Sequence, residues 1–227
     1  IKFKDQPITS KEILKALKNR IENKNYRSIW ALMCIIILAA GKSSRMGKNK
    51  LLLKVCGKPL IRCVVDNASK SKVDQVIVVV GHEKDKISEA LSGLNCRIVY
   101  NADFEKGQSY SVKVGVQSVE ENAEAVLILP GDVALISPEA INKVIDDYRK
   151  SKVPIVVAAY GEKMGHPILF DRTLLGEVME IKEETFGLRA LVNRYRSQIR
   201  KVEVGSQEVL VDIDTEEDFK KYFQAMR

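Results

Sequence analysis

Cys34-Ile-Ile-Ile-Leu-Ala-Ala-Gly-Lys-Ser-Ser-Arg-Met-Gly-Lys-Asn-Lys50 is the stretch that decides how this chain folds. Cys34–Ala40 carries no charge and no polar alternation, and Ile35, Ile36 and Ile37 are β-branched; this is the pattern of a central parallel strand covered on both faces. The apolar run breaks at Gly41. From there to Lys50 the only large apolar side chain is Met46, and Lys42, Arg45, Lys48 and Lys50 stand among serines and glycines. A strand ending in such a loop brings backbone N–H groups and cations to one spot at a sheet edge, which is how a protein holds a polyphosphate. Ala39, Ala40 and Gly41 are small enough for a flat ligand to lie against the backbone. Two commoner glycine motifs fail on spacing. A Walker loop ending in Gly41-Lys42-Ser43 needs a glycine where Ile36 stands, and a dinucleotide fingerprint from Gly41 needs glycines at Ser43 and Met46. The bland alternative is a solvated basic turn. Crowding of Arg45, Lys48 and Lys50 directly after a buried strand argues against it.

Outward from this loop, buried strands and helices alternate, the signature of an α/β protein with a mostly parallel sheet. Pro59 suits the first turn of a helix whose inner face carries Leu60, Ile61, Val64 and Val65. Gln75–Val80 is a second buried strand, closed by Gly81 and His82; His82 reads equally as an edge group or as part of a ligand pocket at the strand's carboxyl end. Arg97–Tyr100 is a third strand. After it, Gly107 opens an amphipathic helix with Ser109 expected to point outward, as a cap or as a contact for a ribose or base. Ala125-Val-Leu-Ile-Leu-Pro-Gly-Asp132 is a fourth strand with a lone carboxylate at its end. Such a group can bind Mg²⁺ through oxygen while nucleotide phosphates supply other ligands, or can merely form a turn. Alternation over Val209–Asp214 predicts a strand with Asp212 and Asp214 on one face. Thr215 and Asp218 then form a capping box.

Several of these segments together resemble a known family. Leu38–Lys50, as L-A-A-G-x-S-x-R-M-G-x-x-K, resembles the signature loop of nucleotidyltransferases with the nucleotide-diphospho-sugar transferase fold. Within that superfamily it is most similar to the molybdenum-cofactor nucleotidyltransferases, especially the cytidylyltransferase branch. Four further motifs follow in the family's order: Lys50-Leu-Leu with Gly57-Lys-Pro-Leu60, Asn101 to Ser111, Leu129-Pro-Gly-Asp132, and Asp212-Ile-Asp-Thr-Glu-Glu-Asp218. Lys163-Met-Gly-His-Pro-Ile-Leu-Phe170 matches the Gly-His-Pro segment of the cytidylyltransferases; its plain structural reading is a tight turn set by Gly165 and Pro167. The chain departs from the family at Asn49, where other branches have proline, at Tyr110, where serine is common, at Val133 and Ala134 after Asp132, and at Glu216. The resemblance runs from Cys34 to about Phe223 and implies a three-layer α/β/α, Rossmann-like (GT-A-like) fold.

It also implies a site. The nucleotide would be held by Leu38, Ala39, Ala40, Gly41, Lys42, Ser43, Arg45, Met46, Gly47 and Lys50 of the loop. Gly81, His82, Asn101, Gly107, Ser109, Pro130, Gly131 and Asp132 would complete its pocket. Arg45 and Lys50 would bind the triphosphate, in keeping with the need of a departing pyrophosphate for fixed cations. Mg²⁺ would sit on Asp132 and a second carboxylate, Asp214 or else Asp212. Gly165, His166 and Pro167 would face the second substrate. The implied reaction is Mg-dependent transfer of CMP from CTP to the terminal phosphate of the molybdopterin cofactor, with a molybdoenzyme acceptor as a further partner. Ala40 bears on the base: family guanylyltransferases usually have L-A-G-G here, and the added methyl narrows the floor toward a pyrimidine. A GTP-dependent guanylyltransferase, or a transferase for another small phosphate, is the alternative within the class. A non-catalytic cofactor-binding chaperone is the alternative outside it.

Composition sets the remaining expectations. The 227 residues suit one nucleotidyltransferase domain, 34–227, preceded by a basic helical extension or linker, 1–33. Of the net charge of +7, five units fall on residues 1–33, which hold eight lysines and arginines against three acids. The rest of the chain is therefore no basic platform for nucleic acid. Thr9 to Glu12 makes a capping box, with Ile13, Leu17 and Ile21 on one helical face; no function follows from it. Cys34, Cys56, Cys63 and Cys96 are scattered with no C-x-x-C pair, as in reduced proteins. With no apolar run of membrane-spanning length and no secretory core after the N-terminus, a cytoplasmic protein without a membrane partner is expected.

Overall fold

The structure is a computed structural model and describes residues 31–223. The helical pattern around Ile13, Leu17 and Ile21, and so nearly all of the expected extension, lies outside the described residues.

The run of isoleucines forms β1 (Leu32–Ala39), with Met33 to Ile37 fully buried. It pairs in parallel with β4 (Gln75–Val80) on one side and β6 (Ala123–Pro130) on the other, so it is central, as a strand apolar on both faces must be. β5 (Arg97–Tyr100) continues the parallel sheet beyond β4. β8 (Lys163–Asp171) lies antiparallel between β6 and β7 (Ile155–Tyr160), and β9 (Ile199–Glu203) closes the far edge parallel to β7. The order β5-β4-β1-β6-β8-β7-β9 is thus a seven-stranded sheet with one antiparallel member. A short hairpin, β2 (Lys54–Val55) with β3 (Lys58–Pro59), stands apart.

Helices cover both faces. Odd positions of β1 (Met33, Ile35, Ile37) join one core with α1 (Leu60–Ser69), α2 (Lys84–Ala90) and α4 (Pro138–Ser151). Cys34 and Ile36 face a second core with α3 (Gln108–Gln117), α5 (Leu175–Met179) and α6 (Gly187–Arg194). The expected three-layer architecture is therefore present. Pro59 precedes α1, whose Leu60, Ile61, Val64 and Val65 are buried as the sequence pattern requires. On α3, Gly115 lets the helix lie against β1: a Cβ there would fall 2.5 Å from Ile36 Cγ2. This brings the start of α3 down toward the carboxyl end of β1.

Two local expectations change. Residues 211–214 are not a strand, although Val209, Val211 and Ile213 are buried with the first core. Their alternation satisfies the core without a ladder partner; one hydrogen bond, Ile213 N to Asp132 O at 3.3 Å, ties the segment to the end of β6. The Gly165–Pro167 segment is no tight turn but lies within β8. Pro167 has no N–H to donate, and the ladder with β7 is irregular between Val157 and Ala159 opposite it.

Candidate active site

From β1 the chain winds outward through β4 to β5, then returns to place β6 on the other side of β1. At such a switch point the loops diverge and leave a crevice at the carboxyl ends of the strands. There the structure has a cleft of about 400 Å³ lined by Leu38, Ala40, Gly41, Ser43, Ser44, Lys50, Leu51, Phe104, Gly107, Gln108, Ser111, Pro130, Asp132 and Asp214. The signature loop folds over it through two single-turn helices. Ser43, at φ 52°, and Gly47, at φ 63°, bend the chain around the first. The Ser43 hydroxyl then accepts from Lys50 N at 3.2 Å. Asn49 Oδ1 accepts from Leu51 N at 3.1 Å and caps the second, Lys50–Leu52, which seats Leu51 in the core and turns Lys50 toward the cleft. Asparagine at 49 thus does local work of its own: it caps a turn, as proline could not.

Three segments far apart in sequence meet at Lys50. Its Nζ lies 2.5 Å from Asp132 Oδ2 and 2.7 Å from Asp214 Oδ1. Burial alone would lower the Lys50 pKa, but Asp132 and Asp214 outweigh it and hold the ammonium charged with a pKa above its usual value. Asp214 is fixed by the capping box: Asp218 Oδ2 accepts from Asp214 N and Thr215 N, and Asp218 N donates back to Thr215 Oγ1. Box and first turn open α7 (Glu216–Phe223), as the sequence predicts. Asp212 does not line the cleft. Loss of hydration together with the charges of Asp132 and Asp214 raises its pKa to about 6, even though its side chain keeps contact with solvent. His166 is also near this corner: burial lowers its pKa, Asp132 pulls the other way, and its Nδ1 has no hydrogen-bond partner.

This donor set fits a divalent cation. Both carboxylates already converge on one positive charge, so the two oxygens can be no farther apart than the sum of their distances to Lys50 Nζ. Asp132 Oδ1 is in addition buried with no hydrogen-bond partner, a lone pair left for something to fill. Among the described residues no group of three or more His, Cys, Asp and Glu side chains forms a metal cage. A hard ion here would therefore complete its shell with phosphate oxygens or water, as Mg²⁺ commonly does.

Apart from Lys50, Asp132 and Asp214, the residues lining the cleft are uncharged. Ala40 presents its methyl, Phe104 its ring, and Gly107 and Gln108 the start of α3. Asn101 is a buried brace: its Nδ2 donates to Ser111 Oγ at 3.0 Å and its Oδ1 accepts from Asp103 N at 2.9 Å. Ser109 corrects an expectation. It does not point outward and makes no cap with its own side chain; it is buried, and its N–H donates to Glu183 Oε2 at 2.8 Å.

Of the residues singled out from sequence, Leu38, Ala40, Gly41, Ser43, Lys50, Gly107, Pro130, Asp132 and Asp214 line the cleft. Ala39, Gly81 and Gly131 are buried behind it. Lys42 pairs with Glu105 at 2.5 Å and, with Gly47 and His82, borders a neighbouring depression. Met46 packs in another recess beside Phe219. Gly165, His166 and Pro167 sit on β8 beside β6. The Arg45 side chain lies outside the described residues. Sequence reasoning missed Ser44, Leu51, Phe104, Gln108 and Ser111. Phe104 and Ser111 are fixed positions of the Asn101–Ser111 motif, a signal that was present.

Residues 35–199 match the family model of the MobA-like NTP transferase domain. The bifunctional protein GlmU of Francisella tularensis is 33% identical over 175 residues, which cover 76% of this chain but only 36% of that protein's length. Among solved structures, Rv0371c of Mycobacterium tuberculosis H37Rv superposes with a TM-score of 0.76 at 26% identity, covering 86% of this chain and 98% of that one. The same mycobacterial protein has been solved in complex with manganese, with a TM-score of 0.73 at 24% identity, over 86% and 100% of the two chains. Matched over most of its length, the chain belongs to the MobA-like NTP transferase family and is a nucleotidyltransferase.

Proposed function

We propose that this enzyme transfers CMP from CTP to the terminal phosphate of the molybdopterin cofactor and releases pyrophosphate. The observation that carries the reading is the meeting of Asp132 and Asp214 on Lys50 beside the Ala40–Gly41 floor. An oxygen of the cofactor phosphate attacks the α-phosphorus in line, the bond to the bridging oxygen breaks, and its electron pair leaves with pyrophosphate. Lys50, kept cationic by its two carboxylate neighbours, offsets charge building on the phosphates, and Arg45 is assigned the same task by the loop motif. Asp132 and Asp214 would hold Mg²⁺, which when bound screens and polarises phosphate oxygens; the manganese complex of the mycobacterial relative supports a divalent ion. A phosphate nucleophile is ionised at neutral pH, so no general base is needed. The partly buried His166, whose pKa burial lowers, and its neighbours Gly165 and Pro167, on the strand beside β6, are the side from which the acceptor would approach.

The methyl of Ala40 in the cleft favours the smaller pyrimidine, so CTP is preferred to GTP. A second reading within the same class is transfer to another small phosphate. Mass spectrometry of products after incubation with Mg²⁺, molybdopterin cofactor and either CTP or GTP tests the assignment. A CMP adduct of the cofactor together with pyrophosphate is expected with CTP. Absence of any cofactor adduct, with the nucleotide releasing pyrophosphate only when another phosphate of an acceptor panel is supplied, would replace the cofactor by that acceptor; equal turnover with GTP would remove the base assignment.

A further inference from the structure

We infer that Glu183 is a positioning residue that fixes which way round the nucleotide lies in the cleft. It fills the anion-attracting start of α3 with the protein's own carboxylate and so reserves Gly107 and Gln108 for the uncharged base and ribose. The inference rests on the cleft being the nucleotide site.

The first amides of a helix have no partner within it, and together with the helix dipole they attract anions. α3 is a ten-residue helix whose first turn borders the cleft at Gly107 and Gln108. A triphosphate entering this cleft therefore meets two competing destinations: the cationic loop around Lys50, and the start of α3. Glu183 removes the second. Its Oε2 accepts from Ser109 N at 2.8 Å, and the Ser109 hydroxyl and Gln108 N–H also engage it. Burial would raise its pKa, but these hydrogen bonds outweigh that and keep the carboxyl ionised below the usual range. The fit is tight. Gly107 has φ 113°, and a Cβ there would fall 2.5 Å from Glu183 Cγ and Cδ. The segment carrying Glu183 is held in turn, with Phe186 N donating to Glu183 O at 3.1 Å and Gly187 N to Lys182 O at 2.9 Å. Gly187, at φ 52°, passes so close to α3 that a Cβ would lie 2.7 Å from Ser109 Oγ. Seventy-four residues separate the two partners of the Glu183–Ser109 bond, so the contact is a product of the fold.

The test measures binding of Mg-CTP and of inorganic tripolyphosphate by calorimetry to the wild type, Glu183→Ala and Glu183→Gln, with steady-state kinetics alongside. Glu183→Ala is expected to weaken CTP roughly tenfold, the scale of losing a hydrogen bond to a charged group, while tripolyphosphate binds more tightly than to the wild type. KM should rise by more than kcat falls. Glu183→Gln keeps the shape and one acceptor but not the charge, and should show the same opposite-signed shifts at smaller size. It also carries the test if the alanine variant folds poorly. Unchanged affinities for both probes overturn the inference, and so does a parallel loss of both, which a purely structural role would give. If the wild type prefers a nucleotide other than CTP, the base assignment has failed instead; the same comparison made with the preferred nucleotide still decides the role of Glu183.

Discussion

The charged end of the cleft, where Lys50 Nζ lies within hydrogen-bond distance of both Asp132 and Asp214, contrasts with the uncharged lining in which Ala40, Phe104, Gly107 and Gln108 offer a methyl, a ring and backbone. The charged end is built of groups that cost free energy to gather and are worth keeping only if they act on a charged substrate. In the neutral part, Asn101 engages the Ser111 hydroxyl and Glu183 the Ser109 N–H, so these polar groups at the start of α3 already have partners. The contrast teaches that phosphate chemistry and base recognition are served by separate parts of one crevice. Substitutions at the two ends should therefore fail in different ways.

The largest effect is expected at the charged end. Asp132→Ala should lower kcat by at least about a thousandfold, with the fold retained by circular dichroism, and a chelator should abolish wild-type activity until Mg²⁺ or Mn²⁺ is restored. Full activity in the variant would remove the metal assignment. Lys50→Met should cost about a hundredfold or more in kcat. In metal-free protein it should also destabilise by about 1–3 kcal/mol, because two carboxylates are left facing each other without their cation. If the comparison is sound, a divalent ion should recover much of that loss in Tm, since it would take the position Lys50 Nζ holds. No recovery would mean that Asp132 and Asp214 do not share an ion.

A finer test separates the two candidate second ligands. Asp214 lines the cleft and touches Lys50, whereas Asp212 stands outside. Asp214→Asn should therefore reduce turnover about tenfold or more, and Asp212→Asn about threefold at most. The reverse order would move the metal site. The smallest effect belongs to the neutral end: Ala40→Gly should narrow the CTP-over-GTP preference by no more than ~1–3 kcal/mol in ratios of kcat/KM, the scale set by one methyl, with little change in kcat for CTP. A large fall in kcat would show that the two ends are not independent.

Much of the frame was legible because it is local. Gln75–Val80 and Arg97–Tyr100 are rich in β-branched residues, and they form strands over those same residues. The Thr215–Asp218 box caps α7 because its partners are three residues apart. Where local pattern and ladder part company the reading failed. Val209 to Ile213 alternates like a strand yet finds core contacts without a neighbouring strand to pair with. Gly165-His-Pro167, whose residues would equally suit a tight turn, instead continues β8 between the stretches that pair with β7.

The amino-acid sequence by itself determined that a buried central strand ends in a cationic, glycine-bearing loop, and that carboxylates end two later segments. Hydrophobic periodicity and motif spacing are properties of neighbours along the chain. Only the tertiary structure decided that Asp214 rather than Asp212 reaches Lys50, that Ser109 turns inward, and that Glu183 closes the start of α3. Those partners are separated by 74 residues or more in sequence, and their pairing depends on how the helices dock on the sheet, which no local pattern encodes.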